Sequence, residues 1–385
     1  MGLNTWNAVR LSKVGPDGRL NYDQISDMAI YLGHMKNSLS ATSHGGATTH
    51  AYGEKVHYDS YGLDYDKIII DDQIKRKHSI VKVAQGAGKS VGIINSGTIT
   101  EPGTGAFVAS VKKRSNHDEI AKQILESDAE VIFGGGEKYF LPKGKKGYHG
   151  SGVRKDGVNL IKSAKEQGYI VIYNKDQLLN LPKDTKKVLG LFASNHTFND
   201  ESEDYLQRKN LPLFTQDAPT IAQMTKAALE ILSQNKKGFL LIAEEEGTDN
   251  FGNYENATGV IESGIRADNA IGEIISFIDQ NPNSTLITTS DSDAGGMQVL
   301  GYRKDKQFKK SFKKSKPKYD GINSTKKPFI AKQDQFGNKL PFLVLWTGRM
   351  DVGGGILVKS YGKNSGLIRG VFDNTEIYDF IVSNI

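Results

Sequence analysis

The sequence contains no cysteine in its 385 residues. A disulfide framework, a thiolate nucleophile and a cysteine-bound zinc site are therefore excluded. No apolar run is long enough to cross a bilayer, so no membrane span is predicted. Residues 1–11 also lack the basic start and the apolar run of a secretory signal. The absence of cysteine leaves the cellular compartment open.

Positive charge is concentrated in one part of the chain. The net charge is +6, and residues 302–327 contain eleven Lys or Arg and two Asp, so the remainder of the chain is net negative. This segment could steer anionic substrates or contact a polyanion, although a solvated lysine-rich loop is the commoner interpretation. Residues 301–332 show little apolar periodicity, which predicts an inserted loop or a small lid.

Short apolar runs rich in β-formers alternate with helical patterns. This order predicts an α/β fold, a three-layer sandwich whose mostly parallel central sheet is flanked by helices, in a single domain over residues 1–385. The predicted strands are Ser90–Ile94, Val131–Phe133, Ile170–Tyr173, Val188–Phe192, Phe239–Ala243, Thr285–Thr289 and Leu340–Trp346. The predicted helices are His117–Glu126, Val158–Glu166, Thr220–Ser233 and Thr258–Ile278.

Acidic residues follow two of the predicted strands, where an open α/β sheet places its site. Glu244, Glu245, Glu246 and Asp249 put four acids into six residues. Like charges this close repel each other unless a cation or a base compensates them, which favours metal binding. After the strand at 285–289, Asp291 and Asp293 share a face, and a cation site and a solvated turn are equally good interpretations.

A turn of small residues at 42–49, TSHGGATT, leads into a possible helix. A serine at a helix N-terminus suits a phosphorylated intermediate, because free N–H groups and the helix dipole favour anionic oxygens. An ordinary serine N-cap is the commoner alternative. We give His44 no catalytic role, since adjacent residues seldom face each other on a helix. Arg114, taken alone, is a surface arginine before a helical segment.

Together these segments resemble the alkaline phosphatase family over essentially the whole chain. The similarity is carried by SHGGATTHAYGEKVHYDSYGLD from Ser43, GIINSGTITEPGTGAFVASVKKR from Gly92, VIFGGGEKYF from Val131 and DNTEIYDFI from Asp373. The resemblance implies that Ser43 is the phosphorylated nucleophile and that Arg114 clamps the phosphate, although Thr42 stands where the family usually has an acidic residue. It implies a metal-dependent phosphomonoester hydrolase that releases inorganic phosphate through a phosphoserine intermediate.

The resemblance also implies a set of metal ligands, with changes. It assigns Glu244 to a magnesium site, Asp249 and Asp291 to two zinc sites, and Asn253, Ser292 and Gln335 to the positions of the family's zinc-binding histidines. Glu101 stands where the family has Asp or His, and Gly103 replaces a ligating threonine. Imidazole suits zinc, whereas carboxylate and amide oxygens suit Mg²⁺, Ca²⁺ or Mn²⁺. We therefore expect divalent cations other than zinc to be preferred, with zinc as the alternative.

The beginning of the chain carries a further expectation. The family's first strand ends in an Asp-Gly-Met-Gly turn, and this chain opens Met1-Gly2. The resemblance implies that a central strand and a metal-binding aspartate lie ahead of Met1.

Other functions stay open at this stage. A phosphodiesterase of the same superfamily is one alternative, and a catalytically inactive phosphate- or polyanion-binding homologue is another. The family implies small phosphomonoester substrates, no specific nucleic acid, a possible homodimer, and a periplasmic or extracellular location.

Overall fold

A computed structural model describes residues 1–70, 77–322 and 325–385 of the protein. Its strands, in chain order, are β1 (Asp27–Leu32), β2 (Ser90–Thr98), β3 (Val131–Gly135), β4 (Ile170–Ile172), β5 (Val188–Leu191), β6 (Phe239–Glu244), β7 (Thr285–Thr288), β8 (Asp293–Ala294), β9 (Gln298–Gly301), β10 (Tyr319–Asp320), β11 (Phe329–Ile330), β12 (Pro341–Leu345), β13 (Asp351–Val352), β14 (Leu357–Gly362) and β15 (Gly370–Asp373).

Helices lie between most of these strands. They are α1 (Leu3–Lys13), α2 (Asn21–Gln24), α3 (Ser43–Tyr52), α4 (Ile80–Gly86), α5 (Pro102–Gly105), α6 (His117–Glu126), α7 (Leu160–Glu166), α8 (Lys175–Leu179), α9 (Glu203–Lys209), α10 (Ile221–Leu232), α11 (Gly247–Asn253), α12 (Ala257–Gln280), α13 (Lys306–Ser315) and α14 (Glu376–Val382). Short 3₁₀ turns cover Glu137–Phe140 and Ser365–Leu367. Within the described ranges, no helix has both the length and the apolar character needed to cross a bilayer.

Five parallel strands form the larger sheet, in the order β4-β5-β3-β2-β6. Every residue of β2, β3 and β5 is buried, because helices cover both faces of the sheet. Ile132 of β3 packs into a core that includes α4, α6 and α7. Its neighbours Val131 and Phe133 pack into a second core that includes α10 and α12. The predicted three-layer α/β sandwich is confirmed.

A second sheet has four strands in the order β15-β1-β14-β7. β1 pairs parallel with β15 and antiparallel with β14, and β14 pairs antiparallel with β7. β12 lies outside both sheets, in a small antiparallel sheet with β9, β10 and β11. The strand predicted at 340–346 therefore forms but does not belong to the central layer. β1, β14 and β15 were not predicted from the sequence.

Local signals explain why the predicted helices form where they do. α10 begins with a capping box, in which Gln223 N donates to Thr220 Oγ1 at 3.3 Å and Thr220 N donates to Gln223 Oε1 at 2.9 Å. α6 has its predicted bounds, and α12 extends the predicted helix by a few residues to Gln280. α10 packs against β2 and β6, and the candidate site lies at the carboxyl ends of these two strands.

The lysine-rich segment at 301–332, predicted as an inserted loop or a small lid, includes short regular elements. It contains α13, which begins after Asp305 because the Asp305 carboxylate accepts from Phe308 N at 2.8 Å. No residue of α13 is buried, and Phe308 and Phe312 stack on each other with ring centroids 5.6 Å apart. Residues 323–324 of the segment lie outside the described residues. Its function as a lid stays a prediction.

Candidate active site

Ser43 is the first residue of α3, and Thr42 before it is the N-cap. Thr42 has extended backbone, and its hydroxyl accepts from Gly45 N at 3.4 Å. The first turn of α3 packs directly against Asp291, since a Cβ on Gly46 would lie 2.5 Å from Asp291 Cβ and 2.9 Å from its Oδ2. Because Gly46 has no side chain, Asp291 can pack against the turn that carries Ser43.

Arg114 is held by an acidic partner near this turn. Its Nη2 donates to Glu101 Oε2 at 3.0 Å, and the side chain of Glu101 is 13% exposed, compared with 46% for Arg114. Glu101, predicted as a metal ligand, thus has a guanidinium as its ionic partner here. Burial, with a smaller contribution from the charge of Arg114, lowers the pKa of His44 to about 4. The arginine is therefore close to the Ser43 turn, and the His44 ring is neutral at neutral pH.

The three glutamates at the end of β6, Glu244, Glu245 and Glu246, have side chains that point in two different directions. Glu244 and Glu246 share a hydrogen bond between their carboxyl groups, and burial raises the pKa of Glu246 well above its ordinary value. Glu245 points elsewhere and accepts from Ser96 Oγ at 2.6 Å and from Gly247 N at 3.1 Å. Of the three glutamates, Glu244 and Glu246 belong to the candidate site.

Glu244 sits in a close-fitting buried pocket. Asn95 Nδ2 donates to its Oε2 at 2.5 Å. A Cβ on Gly103 would lie 1.7 Å from Glu244 Oε1, so a side chain at position 103 would collide with this carboxylate. Burial, followed by the charge of Asp291, raises the pKa of Glu244 to about 8. A raised pKa is expected for a buried carboxyl group that has no basic group or cation beside it.

Asp249 and Asn253 lie one helical turn apart on α11, with Asn253 Nδ2 3.4 Å from Asp249 Oδ2. A further acid, Asp351 on β13, joins them. Burial and then the charge of Asp351 raise the pKa of Asp249. Burial and then the charge of Asp291 raise the pKa of Asp351, whose side chain also bonds to Asn253. Asp351 was not predicted from the sequence.

Gln335 lies elsewhere, which corrects the prediction that it is a ligand. Its side chain is exposed, its backbone N–H donates to Asp17 Oδ2 at 2.8 Å, and its Nε2 donates to Asp17 Oδ1 at 3.3 Å. The structure does not bring Gln335 to the acidic cluster. Asp351 is the side chain that lies beside Asn253 instead.

Asp291 and Asp293 have separate surroundings. Asp293 accepts from Gly2 N at 2.6 Å and from Thr5 Oγ1 at 3.2 Å, so it binds the start of α1. Asp291 faces the site, with Ser292 Oγ 3.5 Å from its Oδ1. Of these two carboxylates, for which a shared cation and a solvated turn were equally good interpretations, only Asp291 belongs to the cluster.

The α-amino group of Met1 is also at this end of the molecule. It donates to Ser290 Oγ at 2.6 Å and to the carbonyl oxygen of Ser292 at 2.8 Å. Its positive charge acts against the rise in the pKa of Asp291 that burial produces. It is a cationic group close to several acids.

The chain matches the family model of alkaline phosphatase over residues 4–384. It belongs to the alkaline phosphatase family. Among curated members, it is 28% identical to the alkaline phosphatase of Gadus morhua over 76% of this chain and 67% of that protein. It is 26% identical to the human tissue-nonspecific isozyme over 76% of this chain and 61% of the isozyme. The match thus spans about two thirds or less of these relatives' length.

Solved structures of the family share the fold. Alkaline phosphatase from the Antarctic bacterium TAB5 superposes with a TM-score of 0.73 at 20% identity, covering 100% of this chain and 94% of that one. The enzyme of Thermus thermophilus gives a TM-score of 0.77 at 18% identity, covering 100% of this chain and 89% of that one. These similarities support the three-layer architecture.

The residues of this alkaline phosphatase homologue fit a hard divalent cation in their chemistry. Asp291 Oδ2 and Asp351 Oδ1 are buried and have no hydrogen-bond partner. The surrounding donors are carboxylate, amide and hydroxyl oxygens, which suit Mg²⁺, Ca²⁺ or Mn²⁺. In the described part of the chain, no three acidic or histidine side chains converge closely enough to hold one ion by themselves. The acids therefore lie close together, but their side chains do not surround one point as the ligands of a single ion would.

Proposed function

We propose that the protein is a metal-dependent phosphomonoester hydrolase that acts through a phosphoserine at Ser43 and releases inorganic phosphate. One observation carries this proposal. The turn that bears Ser43 packs against Asp291, whose Oδ2 has no hydrogen-bond partner, and Arg114 lies near the same turn. A nucleophile, a group for the phosphate oxygens and a set of uncompensated acids therefore share one end of the sheet.

Ser43 is the nucleophile of the proposed reaction, and Arg114 and the N-terminus of α3 bind the phosphate oxygens. Ser43 Oγ attacks phosphorus, so an Oγ–P bond forms while the bond from phosphorus to the alcohol oxygen breaks. The serine proton leaves to solvent and the alcohol takes up a proton. A water molecule then attacks the phosphoserine, which releases phosphate and restores the hydroxyl group. Arg114 and the N-terminus of α3 stabilise the charge on the non-bridging oxygens.

Four acids would hold the cations: Glu244, Asp249, Asp291 and Asp351. Asn253 and Ser292 would add an amide and a hydroxyl oxygen. A bound cation lowers the pKa of a nearby hydroxyl group and compensates charge on phosphate. We propose a preference for Mg²⁺, Ca²⁺ or Mn²⁺ over zinc, because this donor set lacks imidazole.

Two variants of the Antarctic enzyme provide a precedent for Mg²⁺ binding in this fold. Each has a histidine replaced, by glutamate in one and by aspartate in the other, and each is described with Mg in its M3 site.

Phosphate release from a monoester and from a diester, measured side by side, tests the proposal. We expect faster release from the monoester and a covalent phosphoryl label that maps to Ser43 after acid quenching. Faster cleavage of the diester would favour a phosphodiesterase. Saturable phosphate binding without turnover in the presence of any of the cations would favour an inactive binding protein.

We also propose a periplasmic or extracellular location and a homodimer, which family membership alone supports. Fractionation of the source cells against a cytoplasmic marker enzyme tests the location. Light scattering of the purified protein tests the assembly, and a monomer at micromolar concentration would contradict it.

A further inference from the structure

One side of helix α13 carries five exposed lysines, which we call the lysine face. They are Lys306, Lys309, Lys310, Lys313 and Lys314. An α-helix turns by 100° per residue, which places all five within an arc of about 140°. In the part of the chain that the structure describes, the ion pairs of this segment involve Arg303 and Lys318 and none of the five.

The opposite side of α13 is aromatic and joins the helix to the body of the protein. Phe308 contacts Tyr302 edge to face with ring centroids 5.4 Å apart, and Phe312 contacts Tyr319 in the same way at 4.9 Å. Tyr319 belongs to β10, which pairs with β12, and Tyr302 N donates to the carbonyl oxygen of Pro341 at 2.9 Å. These contacts hold the aromatic side inward, so the lysine face is turned to solvent.

The two acids of the segment are occupied elsewhere. Asp305 caps α13 and pairs with Arg303 at 3.2 Å. Asp320 is buried and accepts from Ala257 N at 3.2 Å and from Gly321 N at 2.7 Å. The five lysines lie three and four residues apart, a spacing at which like charges destabilise a helix. An anionic surface placed against the lysine face would remove this repulsion.

The chemistry of the lysine face favours a phospholipid surface over a nucleic acid. Surfaces that bind nucleic acids combine cations with aromatic rings that stack on bases, or with arginine and amide groups that read base edges. The lysine face has no arginine, and the aromatic rings of α13 lie on its other side, packed against Tyr302 and Tyr319. Ammonium groups attract lipid phosphates without requiring a fixed geometry.

We propose that the lysine face of α13 binds the surface of a bilayer that contains anionic phospholipid. The helix has ten residues and is about 15 Å long, and it lies along the membrane plane with its aromatic side kept against the protein. The attraction is between ammonium groups and headgroup phosphates, so binding is peripheral and weakens as salt is added. This membrane contact is separate from the proposed hydrolase activity.

Sedimentation of the full chain with lipid vesicles tests the proposal. The vesicles contain equal parts of phosphatidylglycerol and phosphatidylcholine, and pure phosphatidylcholine vesicles serve as the neutral comparison. A chelator is present, so that no divalent cation bridges the acids of the protein to the lipid. We expect binding to the anionic vesicles alone at about 0.05 M salt and release at about 0.5 M, where charges are screened beyond a few Å.

Two variants of equal charge locate the binding surface. One replaces the five lysines of the lysine face by glutamine, which retains helix propensity. Since each lysine near an anionic bilayer contributes about fivefold, its partitioning should fall by at least about 10²-fold. The matched control replaces five exposed lysines elsewhere by glutamine and should bind like the parent. These are Lys143, Lys145, Lys146, Lys155 and Lys165.

Selective loss in the lysine-face variant, with an unchanged midpoint of urea unfolding, supports the proposal. If that variant is less stable, the double variant Lys309→Gln, Lys313→Gln should still lose at least about tenfold. No binding, equal binding to both kinds of vesicle, or equal loss in the control variant would overturn the proposal. So would tighter binding, at equal phosphate concentration, of single-stranded oligodeoxythymidylate, which would assign the lysine face to nucleic acid. Ser43→Ala should bind vesicles like the parent, so this test and that of the hydrolase activity fail separately.

Discussion

The buried acid Glu244 makes the stability of cation-free protein depend on pH in a defined direction. Its pKa rises from an ordinary 4.5 to about 8 in the folded chain. Between these values the folded state binds more protons than the unfolded state, so the free energy of unfolding falls as pH rises. One such group lowers it by about 3 kcal/mol between pH 4 and pH 7.

Urea unfolding of chelator-treated protein at several pH values measures this fall. The Glu244→Gln variant retains the shape of the side chain and an oxygen that can accept from Asn95, but it cannot ionise. We expect its curve to be flatter than that of the parent by about the same 3 kcal/mol. Saturating Mg²⁺ should also flatten the parent curve, because a bound cation stabilises the carboxylate. A Glu244→Gln variant whose unfolding free energy changes with pH as steeply as that of the chelated parent would refute the reasoning.

Three further predictions concern single side chains. Ser43→Ala should reduce phosphate release by at least about 10³-fold with the midpoint of urea unfolding unchanged. Retained turnover by the folded variant would contradict the nucleophile assignment. Arg114→Ala should weaken inhibition by inorganic phosphate about tenfold, the loss of one charged hydrogen bond, whereas Lys113→Ala, its neighbour, should not change it. Asp351→Ala should raise the Mg²⁺ concentration for half-maximal activity roughly tenfold or more, while Gln335→Ala leaves it unchanged. A rise in Gln335→Ala and none in Asp351→Ala would show that Gln335, and not Asp351, is the ligand.

Periodicity in the sequence was enough to predict the central elements. The run at 90–94 predicted β2 because Val91, Ile93 and Ile94 are β-branched apolar residues, in which strands buried on both faces are rich. The extension of β2 to Thr98 was not predictable in this way, since Asn95 and Ser96 are polar. These polar side chains can be buried because each donates a hydrogen bond to a residue that is distant in the sequence. Asn95 donates to Glu244, and Ser96 donates to Glu245.

The candidate site was predictable where an acid follows a strand and less so elsewhere. Glu244 is the last residue of β6 and Asp291 lies three residues after the end of β7, so the rule that sites lie at the carboxyl ends of strands brought both to this end of the molecule. Asp351 is an isolated acid before three glycines, and only the pairing of β13 with β8 beside Asp291 brings it to the cluster. Gln335 was predicted to be a metal ligand through the family resemblance alone. Its contact with Asp17 could not be predicted, because the two residues are far apart in the sequence.

The proposed site combines a serine nucleophile with oxygen-ligated cations in place of histidine-bound zinc. The most direct measurement is the rate of phosphate release by chelator-treated protein after each of Mg²⁺, Ca²⁺, Mn²⁺ and Zn²⁺ is added back singly. We predict turnover with at least one of the first three, dependent on Ser43, and lower turnover with zinc. Full activity with zinc alone, and none with magnesium, calcium or manganese, would contradict it.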